Sequence, residues 1–149
     1  MVAGPVAYSK EADDFLSTHT RSFVMNLRKD GSPTGHPLTA MYINGVLYYN
    51  TYRKSIKMRN IVRDNRVACL VTTDEGKEPF RSLTIRGRAV MIEDPQEALA
   101  VYQARAGNAG AAGGQGRDSR ATSNTLFQQR LQDGRRVLIR IEPEVVRLW

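Results

Sequence analysis

Asn44-Gly45 constrains this chain more than any other pair of neighbours in it. Both central positions of a tight hairpin turn want positive φ, which asparagine tolerates and glycine adopts freely. The flanking runs agree, with strands expected from about Thr34 to Ile43 and from Val46 to Thr51. Further turn signals at Asp30-Gly31 and Asp74-Glu75-Gly76 divide more strand-like segments. Ser22–Arg28 alternates, with Phe23, Met25 and Leu27 on one face as in a half-buried strand. Arg66–Thr73 and Arg81–Glu93 read as two more strands. Val137–Ile141 and Val145–Trp149 read as a closing pair separated by Glu142-Pro143.

Helical segments are few. Ser9 can cap a helix through Thr18, with Glu11, Asp13 and Asp14 in its first half and Ala12, Phe15 and Leu16 as its apolar stripe. From Arg53 to Asp64 the period turns helical: Met58, Ile61 and Val62 share a face and Ile56 lies nearly opposite. Asp94 and Pro95 open a helix through Arg105 as cap and first helical residue. Residues 106–120, rich in Gly, Ala, Asn, Gln and Ser, read as a mobile loop, and Thr122–Gln132 as a helix. Those glycines do not make a nucleotide loop, since no apolar strand precedes them and no Gly-Lys-Ser/Thr follows.

Six or seven strands with hairpin turns and few helices argue against an alternating βαβ layout. They predict a mainly β fold, a small antiparallel barrel with peripheral helices, because closure removes exposed strand edges. At 149 residues the chain fits one domain, taken as 1–149. Met1–Tyr8 lacks the basic start and apolar stretch of a signal peptide, and no apolar run is long enough to span a bilayer, so a cytoplasmic protein is expected. The single cysteine, Cys69, sits in an apolar run and reads as a buried small hydrophobe. No His, Asp and Glu cluster has ligand spacing, so no metal is expected. His19 reads as a loop residue.

Charge points to the function. The net charge is +7, and between Arg53 and Arg66 six basic residues face one acid, Asp64. On charge alone two readings stand: such focusing concentrates anionic ligands, and a solvated helix face carries the same run. The segment also delivers a strand into a helix N-terminus, where free backbone N–H groups favour phosphate. Thr51 and Ser55 bring hydroxyls to this entry, Lys57 projects from the first turn, and Asn60 shares its face three residues on. Together they suit a phosphate monoester.

The residues Tyr49-Asn50-Thr51, Ser55, Lys57, Asn60, Asp64 and Arg66-Val67 carry a more specific likeness. They resemble the split-barrel flavin-binding family typified by pyridoxamine 5′-phosphate oxidase, and especially its actinobacterial flavin- or deazaflavin-dependent oxidoreductases. The characteristic stretch of those proteins, Lys-x-Arg-Asn-Leu-x-x-Asp-Pro-Arg-Val, is matched by Lys57-Met-Arg59-Asn60-Ile61-Val-Arg-Asp64-Asn65-Arg66-Val67. Asp30-Gly31-Ser32-Pro33 and the ending Arg135-Arg136-Val137 through Trp149 are also similar. Two positions depart: Ile56 stands where a basic residue often precedes the lysine, and Asn65 replaces the usual proline.

The resemblance implies a phosphate held by Thr51, Ser55 and Lys57, with Asn50 and Asn60 beside it. It implies an isoalloxazine ring packed along His36, Pro37, Leu38 and Thr39 of the second strand. The implied activity is hydride transfer between coenzyme F-420, or FMN, and a small organic acceptor, in a homodimer with cofactor at the subunit interface. The basic surplus near Lys57 favours F-420, whose oligoglutamate tail adds negative charge. His36 is a candidate for proton transfer or ring packing, and Trp149 for a barrel plug or a reach into a neighbouring subunit. No catalytic acid or base is singled out. Two other readings compete: a non-catalytic carrier of a flavin, deazaflavin or haem-like tetrapyrrole, and a nucleic-acid binder. The last lacks aromatic residues interleaved with the charge.

Overall fold

The computed structural model describes residues 4–74, 76, 78–108, 129 and 133–149. Helix α1 (Lys10–Thr18) comes first, capped by Ser9, whose Oγ accepts the Ala12 N–H at 3.2 Å. Strands β1 (Arg21–Leu27), β2 (Pro33–Thr39), β3 (Met41–Ile43) and β4 (Val46–Tyr52) follow, then α2 (Ile56–Arg63), β5 (Arg66–Thr72) and β6 (Ser82–Ile92). Helix α3 (Pro95–Asn108) and the long β7 (Arg136–Leu148) complete the order. Seven antiparallel strands form one sheet in the order β2-β1-β5-β6-β7-β4-β3, curled into a half-barrel. The loop expected at 106–120 and the helix expected at Thr122–Gln132 fall almost wholly outside the described residues. No helix among the described residues is long and apolar enough to cross a membrane.

The turn chemistry explains the hairpins. Asn44 and Gly45 adopt φ of 52° and 79°, joining β3 to β4. The run expected as one strand over Thr34–Ile43 is two, because the chain changes partner at Ala40. Residues before it pair with β1 and residues after it with β4, while the Ala40 N–H bonds the Thr20 carbonyl at 2.9 Å.

The two strands expected at the C-terminus are instead one. Pro143 does not break β7, because a register shift opposite Arg86 and Gly87 absorbs it as a bulge. Gly87 makes this possible: a Cβ there would run into the Glu142 carbonyl and lie 3.0 Å from the Pro143 Cα.

The curl wraps one core. Val24, Leu47, Tyr49, Cys69, Val71 and Ile139 meet from four strands, with α1 adding Phe15 and Leu16 and α2 adding Met58 and Ile61. Val62 is exposed rather than buried with them, whereas Ile56 faces solvent as its position suggests. On β1 the inward face is Ser22, Val24 and Asn26; Phe23, Met25 and Leu27 lie half-buried on the outer face. A second cluster forms outside the barrel, where Ala98, Val101 and Tyr102 of α3 pack on Met41, Ile43, Ile92 and Leu138. Trp149 does not plug the barrel. It is exposed, and its indole N–H donates to Thr84 Oγ1 at 3.2 Å.

Candidate functional site

The half-barrel leaves a seam between β2 and the β3–β4 edge. A cavity of about 510 Å³ opens along it, within the range of small-molecule sites. Pro37, Leu38 and Thr39 form one wall and Met41 and Asn50 the other. Arg21, Arg105 and Arg136 also line it, and no carboxylate does among the described residues. Strand alternation explains the cationic wall. Asn50, Tyr52 and Arg136 share the outer face because β4 and β7 pair Tyr52 with Arg136 and Asn50 with Leu138.

Helix α2 starts at the end of this wall. Ser55 is its cap, with Oγ accepting the Met58 N–H at 3.3 Å, so the helix begins at Ile56 and not at Arg53 as the sequence period suggests. Two backbone bonds seat it on the strand ends: Ser55 N–H to the Tyr52 carbonyl at 3.1 Å, and Arg53 N–H to the Arg135 carbonyl at 2.9 Å. Lys57 is half-buried in the first turn. Burial, and then the neighbouring charge of Arg136, hold its ammonium below the ordinary lysine range.

The residues singled out from sequence divide into three groups. Pro37, Leu38, Thr39 and Asn50 line the cavity. His36, Thr51, Ser55 and Lys57 lie outside its lining, on the inner side of the seam and the start of α2. The His36 imidazole is held below its usual pKa by burial, then by the charges of Lys57 and Arg28. Its Nε2 is buried and has no hydrogen-bond partner among the described residues, and neither has the buried Thr51 hydroxyl. Asn60 is engaged elsewhere: its Nδ2 donates to Asn26 Oδ1 at 2.8 Å and its Oδ1 accepts from Arg63 at 3.3 Å.

Arg136 and Tyr102 were not among the residues expected here. The Arg136 guanidinium stands 4.0 Å over the Tyr52 ring and donates to Asn50 Oδ1 at 3.1 Å. The amide nitrogen of Asn50 donates in turn to the Tyr102 hydroxyl. A basic pair directly before the last strand was visible in the sequence; its pairing with Tyr52 was not.

Cys69 is fully buried, and burial pushes its thiol up to about 12, so it is unreactive at neutral pH. His19 caps α1, stacks on Phe15 at 4.1 Å and meets Glu78 at 2.8 Å. Among the described residues no three His, Cys, Asp or Glu side chains gather as metal ligands.

The fold is a curled, seven-stranded split half-barrel whose seam, among the described residues, is lined by arginines and by no carboxylate. The chain belongs to the flavin-binding pyridoxamine 5′-phosphate oxidase family, whose model matches residues 8–149. Among solved structures it is similar to a conserved hypothetical protein from Mycobacterium tuberculosis, with TM-score 0.73, 23% identity, and coverage of 99% of this chain and 87% of the other. An F-420 reductase matches with TM-score 0.62 and 19% identity, covering 94% of this chain and 98% of the other. A heme storage protein from Vibrio cholerae matches with TM-score 0.64 and 15% identity, covering 97% and 94%. At these identities the likenesses speak for the fold. No curated protein matches the chain.

Proposed function

We propose that this protein is an oxidoreductase that binds coenzyme F-420, with FMN as the alternative, and passes hydride between it and a small organic acceptor. The observation that carries the reading is the seam itself: an apolar wall at Pro37–Thr39 facing Arg136, with half-buried Lys57 at the start of α2. The buried, unpartnered His36 Nε2 and Thr51 hydroxyl fit a ligand that brings its own polar atoms. A flavin or deazaflavin supplies the hydride chemistry when bound.

The chain's residues bind and orient. Lys57, with the Ser55 hydroxyl and the free N–H groups of α2, holds the phosphate ester. Leu38 and its neighbours carry the ring, and Met41 and Phe23 keep water from it. The basic surplus of Arg53, Lys54 and Arg59 around the site favours F-420, whose tail carries extra carboxylates. A homodimer with cofactor at the subunit interface belongs to the same reading, supported by the half-buried outer face of Phe23, Met25 and Leu27. We read the setting as cytoplasmic.

A second reading is a non-catalytic carrier of a flavin, deazaflavin or haem-like tetrapyrrole. His36 favours it, since an imidazole held neutral with a buried open nitrogen suits iron ligation. One experiment separates the two. Reduced F-420 or reduced FMN is supplied with an enone or quinone acceptor and its oxidation followed over many turnovers. Steady consumption supports the oxidoreductase; tight binding with no turnover across acceptors overturns it in favour of the carrier.

A further inference from the structure

We propose that the hydride acceptor is a small unsaturated organic acid, its carboxylate held by Arg21 at the β1–β2 end of the seam cavity and its apolar body by Phe23 and Pro37. The inference rests on the functional reading above and adds the acceptor's class to it.

The register of β1 against β2 sets out the residues. Arg21 stands directly opposite Thr39, and Phe23 directly opposite Pro37. Opposed residues share a face of the sheet, as do residues two apart along a strand, so the four side chains form neighbouring rungs about 7 Å apart. All four line the cavity, and so does Thr20, next to Arg21 in the chain. The first rung offers a guanidinium and a hydroxyl, the second an aromatic ring and a proline ring. That order matches a carboxylate carried on a short conjugated body.

The charge of Arg21 is uncommitted. Its guanidinium meets no hydrogen-bond or ion-pair partner among the described residues, whereas Arg66 is held by Asp64 at 2.7 Å. No carboxylate among the described residues lines the cavity to compete for it. On the other side of β1, the pairing with β5 sets Thr72 opposite Arg21. Thr72 is 4% exposed, and its buried hydroxyl has no partner among the described residues. Buried hydroxyls are ordinarily satisfied, and a carboxylate drawn to this row brings the missing acceptor.

The helix assigned to the phosphate touches β1 at its far end. Asn60 of α2 donates to Asn26 at 2.8 Å, and Asn26 lies about 17 Å along the strand from Arg21. Arg21 therefore serves a second anionic group. In turnover the acid's conjugated C=C π bond breaks; one carbon takes the hydride and the other a proton from water, and the reduced cofactor gives up the same pair of electrons.

The test pairs benzoylacrylate, a conjugated keto acid, with its methyl ester, which keeps the conjugated ketone and loses the charge. Rates are measured with reduced F-420 or reduced FMN, and binding by calorimetry on protein loaded with the oxidised cofactor. Wild type, Arg21→Gln, Arg21→Lys and Thr39→Val are compared, with Tm for each. Wild type should prefer the acid about tenfold or more in kcat/KM, the scale of a charge-assisted contact. Arg21→Gln should lose that preference through a raised KM and weaker binding of the acid, with kcat little changed. Arg21→Lys should keep part of it, since the charge stays and the planar fork goes. Thr39→Val should raise the KM for the acid a few-fold. A wild type that takes the ester as well as the acid, or equal losses for acid and ester in Arg21→Gln, would overturn the proposal and leave the oxidoreductase reading intact. Cofactor binding without reduction of either compound would overturn both.

Discussion

Ser22 Oγ and the Tyr49 hydroxyl lie 2.5 Å apart, although β1 and β4 are four places apart in the sheet. On a flat sheet that separation is roughly 19 Å, so this one bond measures how far the sheet has curled. Both groups are buried on the inner face, and each satisfies the other's polar atom there.

Removing either partner leaves a buried hydroxyl poorly matched. Tyr49→Phe and Ser22→Ala should each lower stability by about 1–2 kcal/mol in urea denaturation. The double variant should cost clearly less than the two losses combined, since it removes both polar atoms together. Strictly additive losses would mean that the two residues do not touch and the sheet is more open.

Gly87 tests the other end of the barrel. A methyl group there would press on the Glu142 carbonyl and the Pro143 Cα, both backbone, so relief requires β7 itself to move. Gly87→Ala should destabilise by about 1–3 kcal/mol, read as a lower urea midpoint at unchanged slope. Native stability in that variant would contradict the bulged pairing of β6 with β7.

These relationships mark the boundary of what local sequence conveys. Turn and cap chemistry is local, so Asn44-Gly45, the Ser9 cap and the Asp94 cap, whose Oδ1 takes the Gln96 N–H at 3.0 Å, could all be read directly. Alternation in β1 was legible, but period gives no sign. Ser22 and Asn26 face inward, where distant residues meet them, Tyr49 at the Ser22 hydroxyl and Asn60 at the Asn26 Oδ1, and no window around residue 22 contains either. Pro143 looked like a strand end because the glycine that accommodates it stands 56 positions earlier, opposite in the sheet. At the seam, Pro37–Thr39 and Asn50 were identifiable by resemblance. Arg136 was not, because its place depends on β4 pairing with β7 across more than eighty residues.

The lowered pKa of Lys57 has a signed consequence. Burial first, and Arg136 second, disfavour its charged form in the free protein, while a phosphate needs that form. FMN affinity should be level at neutral pH and fall as pH rises, starting below lysine's ordinary value of 10.5. In Lys57→Arg the fall should move to higher pH, because a guanidinium stays charged there. Without ligand the linkage runs the other way. Between the lowered folded pKa and 10.5 the unfolded chain binds more protons, so stability should rise with pH through that window. An affinity profile identical in wild type and Lys57→Arg would remove the lysine from the site.

The most direct measurement is a side-by-side titration of F-420 and FMN into the wild type and Lys57→Ala, with Tm recorded for both proteins. Wild type should bind at least one of them with micromolar affinity, F-420 more tightly. Lys57→Ala should bind about tenfold more weakly or worse at unchanged Tm, the scale of a lost charge-assisted contact. Equal affinity in the two proteins, or no binding of either cofactor by wild type, would contradict an anion site at the seam.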